Sequence, residues 1–108
     1  MRNLTSTFQD GVLTVYIEQD IDHHTAAALR PQIDELIARN TPRTLVLDFD
    51  SVEFMDSSGI GLILGRYRLL QVSGGKVLLQ GLNPRCRRLV ELSGILDLVE
   101  ILEGGNRQ

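Results

Sequence analysis

The chain reads as an α/β domain built on a mixed, mostly parallel sheet, and three observations predict this. After the first strand, apolar runs of strand length alternate with segments whose apolar residues recur every three or four positions, giving strand, helix, strand, helix, strand, helix, strand. Parallel strands with crossover helices are the usual solution to that order. An Asp-Gly pair at positions 10 and 11 separates the two leading strand-like runs and supplies the positive φ angles of a tight reversal, so the first strand is expected to run antiparallel to its successor. Finally, 108 residues at 43% hydrophobic content, with no linker, repeat or low-complexity tract, form one domain able to bury its own core.

Leu4 to Phe8 and Val12 to Ile17 are the first two strands, around Gln9-Asp10-Gly11. Which neighbour the first strand pairs with stays open. Leu29, Ile33, Leu36 and Ile37 mark the inner face of a helix from about His24 to Arg39. Pro31 lies inside that pattern, where it removes a donor and crowds the preceding turn, so the helix either kinks there or begins just before it. Asn40-Thr41-Pro42 ends it. Leu45 to Phe49 is the third strand, broken at Asp50-Ser51. A helix from Ser57 to Val72 presents Ile60, Ile63, Leu64, Tyr67 and Leu70 inward and stops at Ser73-Gly74-Gly75, a sequence suited to a left-handed cap. Lys76 to Gln80 is the next strand. Asn83-Pro84 joins an N-cap to a first-turn proline and opens a helix with Leu89 and Leu92 inward, closed by Gly94. Leu98 to Leu102 is the last short strand. The core then spans about 4–102 and residues 103–108 read as a frayed tail.

The most informative segment is Phe54-Met55-Asp56-Ser57-Ser58-Gly59-Ile60-Gly61, which leads from an apolar strand straight into the central helix. A first helical turn carries unpaired N–H groups and a positive dipole end, so phosphate on a serine there would be held electrostatically. Ser57 and Ser58 are therefore candidate switch positions. Any of Asp56, Ser57 or Ser58 could equally serve as the N-cap, a role worth about 1 kcal/mol.

Enzyme readings fail on spacing. A dinucleotide fingerprint beginning at Gly59-Ile60-Gly61 needs glycine at 64, where Leu64 stands. No phosphate-cradling loop ending in Gly-Lys-Ser or Gly-Lys-Thr occurs, and a hydrolase elbow would need glycines two residues to either side of its serine, which neither Ser57 nor Ser58 has. His23 and His24 are adjacent and converge poorly on one metal. A net charge of −3 gives no global attraction to nucleic acid or anionic membrane. Arg66, Arg68, Arg85, Arg87 and Arg88 read as solvated arginines near helix ends. No apolar run reaches bilayer length, the N-terminus lacks the pattern of a secretory signal, and the single Cys86 reads as a small helix residue, so a cytoplasmic location is expected.

Taken together, Asp22-His23-His24-Thr25-Ala26, the Phe54 to Gly61 segment with Ile63-Leu64-Gly65-Arg66-Tyr67, and Arg87-Arg88-Leu89 with Ser93-Gly94 resemble the bacterial anti-sigma factor antagonists. Those belong to the STAS group, named for sulphate transporters and anti-sigma antagonists, and the likeness runs from about Val12 to Ile101. It is strongest to the sporulation members that act on the forespore sigma factor. Gln19 departs from the glycine common before the family's acidic loop.

The resemblance implies a non-enzymatic switch without cofactor or metal. Its unmodified form would bind an anti-sigma factor, itself an ATP-dependent serine kinase, and free the sigma factor; phosphorylation on Ser57 would end binding, and a serine phosphatase would restore it. By the same resemblance Asp22, His23, Asp56, Ser57, Ser58 and Gly59 form the partner surface, with Asp22 near the acceptor. The alternative within the group is a STAS signalling or scaffold domain of another regulatory complex. An enzyme using Ser57 or Asp56 would need a base assembled from a distant part of the chain.

Overall fold

Asp10 (φ +54°) and Gly11 (φ +81°) take up the positive backbone angles expected of them and fold β1 (Leu4–Gln9) back on β2 (Val12–Ile17), with Leu4 opposite Ile17 and Gln9 opposite Val12. The structure, a computed structural model, describes residues 3–103. Beyond β2 follow α1 (His23–Asn40), β3 (Thr44–Asp48), α2 (Ser57–Val72), β4 (Lys76–Gln80), α3 (Pro84–Ser93), a 3₁₀ turn at Ile95–Asp97 and β5 (Glu100–Ile101). The sheet order is β1-β2-β3-β4-β5; β1 is antiparallel to β2, and the later neighbours are parallel. The first strand therefore pairs with its successor and forms one edge of the sheet.

Each parallel crossover advances one strand in the same direction, and right-handed connections then put all three helices on one face. Leu13, Val15, Ile17, Leu45, Leu47, Val77 and Leu79 point to that face and are fully buried with Leu29 and Ile33 of α1 and Ile63 and Leu70 of α2. Burying one such side chain contributes about 1.5–3 kcal/mol, so this layer supplies most of the driving force.

Local chemistry sets the ends. Thr41 closes α1 in the left-handed region (φ +42°), its N–H donating to Ile37 O at 2.8 Å. At the end of α2, Gly74 N–H donates to Gln71 O and Gly75 N–H to Leu70 O, the double bond of a glycine-closed helix. Asn83 Oδ1 accepts from Cys86 N at 2.8 Å with Pro84 in the first turn, and Gly94 closes α3.

Several expectations change. α1 starts at His23, well before Pro31, because Asp22 and Thr25 form a capping box; Pro31 is carried on the exposed side. On α2 the inner face is Gly59, Leu62, Ile63, Arg66 and Leu70, while Ile60, Leu64 and Tyr67 flank it half-buried. On α3 the buried residues are Cys86 and Val90, with Leu89 half-buried; Leu92 is 73% exposed. At 100° per residue Leu92 sits roughly 110° from the centre of the 86/89/90 stripe, so it points outward. The last strand is shorter than the apolar run, since the 3₁₀ turn and Leu98 precede the two paired residues Glu100 and Ile101. Glu103, expected to fray, forms an ion pair with Arg87 at 2.6 Å, and Arg87 also contacts Glu91 at 3.1 Å. These contacts raise the Arg87 pKa and lower that of Glu103. The remaining tail residues, 104–108, lie outside the described residues.

The largest departure is Arg66, which is 5% exposed and not solvated. Its Nε stands 3.0 Å from Asp34 Oδ1 on α1, with the N–H directed off the oxygen, so the contact is one of charge and not a hydrogen bond. Nη1 is buried with no partner among the described residues. Burial pushes the guanidinium pKa down, and Asp34 partly restores it. Asp34→Ala, which strands this cation, is expected to destabilise the fold by about 1–3 kcal/mol, less than a fully enclosed pair because the aspartate is 37% exposed. Arg66→Met, which removes the buried charge while keeping the volume, is expected to be near neutral or stabilising; urea midpoints at unchanged slope check both.

Candidate functional site: two capped helix ends around Ser57

The chain between β3 and α2 is folded into a rigid ledge by residues far away in sequence. Val52 and Met55 insert into the core, leaving Phe54 between them 44% exposed. Asp20 Oδ1 accepts from the Glu53 and Phe54 N–H groups at 2.8 and 3.1 Å. From the other side Asn83 Nδ2 donates to Glu53 O at 3.1 Å and more weakly to Val52 O at 3.4 Å, while its Oδ1 caps α3. Asn83 therefore ties the third helix to the same ledge.

The decisive contact is a short parallel bridge beyond the strand ends. Ile21 N–H donates to Phe54 O at 3.0 Å and Asp56 N–H donates to Ile21 O at 3.1 Å, pairing Ile21 with Met55. The next residues on each chain are Asp22 and Asp56, the N-caps of α1 and α2. Asp22 Oδ1 accepts from Thr25 N at 2.9 Å, and Thr25 Oγ1 accepts from Asp22 N at 2.8 Å. Asp56 Oδ1 accepts from Ser58 N at 2.8 Å. Two helix N-termini thus open side by side, each with a carboxylate at its mouth.

Ser57 is the first residue of α2 and is exposed; among the described residues its hydroxyl has no hydrogen-bond partner. Ser58 follows half-buried, with its amide already engaged by Asp56. Of the three residues that could have capped α2, Asp56 does so, which leaves the Ser57 hydroxyl free for another molecule. Gly59 is buried, and a side chain there would collide with Cγ and Sδ of Met55, the residue that plugs the ledge. His23 and His24 occupy the exposed first turn of α1, edge to face at 5.8 Å, and neither hydrogen-bonds Ser57. All six expected surface residues, Asp22, His23, Asp56, Ser57, Ser58 and Gly59, fall on these two helix starts, with Gly59 beneath the surface as a packing residue.

Sequence reasoning missed Asp20 and the reach of Asn83 beyond its own helix, and it left Phe54 out of the partner surface. Asp20 and Asn83 reach backbone groups thirty or more residues away, and those contacts leave no local signal. Phe54 could have been found, since it is the large apolar residue of the run that the plugs Val52 and Met55 leave outside. Among the described residues no three His, Cys, Asp or Glu side chains cluster as metal ligands would, and no helix is long and apolar enough to cross a membrane.

The Thr25 amide holds the Asp22 carboxyl below its ordinary 3.8, even though the group is exposed. A folded-state pKa depressed in this way contributes stability above the unfolded value and loses it as acid protonates the cap. Asp22→Ala is therefore expected to lower the urea midpoint at pH 7, with the gap to wild type narrowing below about 3.8. An undiminished gap at pH 2 would remove the cap from the account.

Comparison with known proteins agrees with this geometry. The model of the STAS domain family matches residues 3–104. An anti-sigma F factor antagonist of Paenibacillus polymyxa is 41% identical over 93 residues, covering 86% of this chain and 80% of that protein. The solved structure of the anti-sigma factor antagonist SpoIIAA in its unphosphorylated form is similar at 26% identity and TM-score 0.79, covering 94% of this chain and 89% of that one. That of the Bacillus cell fate determinant SpoIIAA in the phosphorylated form is similar at 26% identity and TM-score 0.70, covering 94% and 92%. With its α/β fold, its β1 edge and its paired helix caps, the chain belongs to the STAS domain family.

Proposed function

We propose that this protein is an anti-sigma factor antagonist: its unmodified form binds an anti-sigma factor that is also an ATP-dependent serine kinase, releasing the sigma factor, and phosphorylation of Ser57 ends the complex. The observation that carries this reading is the exposed Ser57 hydroxyl at the mouth of α2, without a hydrogen-bond partner among the described residues and next to the bridged starts of α1 and α2 that Asp22 and Asp56 cap. A serine phosphatase would return the protein to its binding form. The 41% identical relative points to an anti-sigma F factor as the kind of partner.

Magnitudes favour a blocking mechanism over refolding. A phosphate adds about −1.5 to −2 charges, and the α2 N-terminus offsets some of this at about 0.3–1 kcal/mol. Across an interface fitted to a neutral hydroxyl, one carboxylate at ~4 Å costs on the order of 4 kcal/mol at an effective dielectric near 20, roughly a thousandfold in affinity. The intermolecular term dominates. That this chain resembles both solved states of SpoIIAA supports a scaffold which modification leaves in place.

Incubation with ATP and the candidate kinase, followed by mass spectrometry, is expected to find one phosphate on Ser57, none on Ser57→Ala and an undiminished yield on Ser58→Ala. The phosphorylated protein is expected to bind the anti-sigma factor about a thousandfold more weakly, with backbone chemical-shift changes confined to the two helix starts and the ledge. Phosphate on Ser58, or shifts spreading through β2 to β4, would defeat this reading.

A further inference from the structure

The β1 edge of the sheet has a composition that natural edges avoid. Exposed edge strands offer unpaired N–H and C=O groups, and proteins usually guard them with charged residues, proline or a bulge. Leu4-Thr5-Ser6-Thr7-Phe8-Gln9 contains no charge and no proline and pairs with β2 in unbroken register. Asn3 O accepts from Glu18 N at 2.9 Å, which fixes residues 3, 5, 7 and 9 as those bonded to β2. By alternation the N–H and C=O groups of Leu4, Ser6 and Phe8 face outward, with no strand beside them among the described residues. Phe8 is 44% exposed.

The strand also reads the same in both directions, apolar, Thr, Ser, Thr, apolar, with Ser6 at its centre. We infer that β1 pairs antiparallel with β1 of a second copy about a two-fold axis through Ser6, joining two five-stranded sheets into one. In that register Ser6 faces its own counterpart and Leu4 faces Phe8 of the other copy. Thr5 faces the other copy's Thr7, a pairing of the kind that stabilises adjacent strands. All six outward backbone groups of each copy find partners. On the helix side a groove runs between β1 and α1, lined by Leu4, Ser6 and Leu36 with the Glu35 and Arg39 ion pair on its wall. It receives the exposed Phe8 ring of the other copy. β1 itself brings no like charges together across the seam. Such an isologous contact closes at two copies and does not propagate.

Sedimentation equilibrium over a concentration series tests this. The wild-type mass is expected to rise from the 12.0 kDa of one chain toward twice that value. Ser6→Lys and Ser6→Glu each place like charges together at the axis and are expected to weaken self-association about tenfold or more, whereas an equimolar mixture of the two regains it. Circular dichroism melts show whether each variant is folded, and Thr7→Lys, on the exposed side of the strand, serves as the second guard if Ser6 proves intolerant. A wild-type protein monomeric up to about 1 mM would overturn the second-copy pairing and leave the edge to a strand of a different partner. Folded Ser6 and Thr7 variants that associate as well as wild type, or a Ser6→Lys and Ser6→Glu mixture that does not recover, would overturn it as well.

Discussion

Two hydrogen bonds between Ile21 and the Phe54 to Asp56 ledge hold the rest of the molecule's business end together. β2 and β3 end before these residues, and without the bridge the loops that follow would leave the sheet independently. With it, the starts of α1 and α2 are held in register and their aspartate caps stand at neighbouring positions. Asp20 and Asn83 reinforce the bridge from either side, so three separate stretches of chain meet at one short ledge. The partners are mostly backbone groups, which fixes positions more firmly than mobile side chains would.

That rigidity would suit the proposed switch, in which Ser57 changes charge while the fold keeps its shape. Asp56 already caps the Ser58 amide, and a side chain at position 59 would collide with Met55, so the start of α2 is held in place before any modification. A phosphate on Ser57 would meet a dipole that tolerates it and two carboxylates that do not reward it. The consequence would be felt by whatever docks on that surface. A sheet with its helices on one face and a free strand on one edge leaves this end and the β1 edge as separate surfaces, so occupation of one need not disturb the other.

Arg66 shows how an apparently ordinary surface residue becomes part of the interior. On α2 it follows the inward stripe of Gly59, Ile63 and Leu70, and α1 packs over it, supplying Asp34 at the rim. Such a pair contributes little net stability, because desolvation of the guanidinium consumes most of the attraction. Its effect is to penalise any packing of α1 on α2 that separates the two charges.

Much of the fold was legible in sequence because it rests on local chemistry. The Asp10-Gly11 reversal, the bounds of β2, α2 and β4, the Asn83-Pro84 start and the glycine closures all follow from backbone preferences within a few residues. The position of Ser57 at a helix mouth was equally local. Leu92, Arg66 and the short β5 were misread because each depends on which face a neighbouring element covers, a matter of packing between residues distant in the chain. The contacts of Asp20 and Asn83 with the ledge were illegible for the same reason. By itself, then, the sequence determined the order and ends of the elements and the residue types at the helix mouths, since these are settled by short-range backbone geometry. Only the tertiary structure decided that Asp22 and Asp56 stand together, because a bridge between residues thirty-four positions apart exists only once the strands have paired.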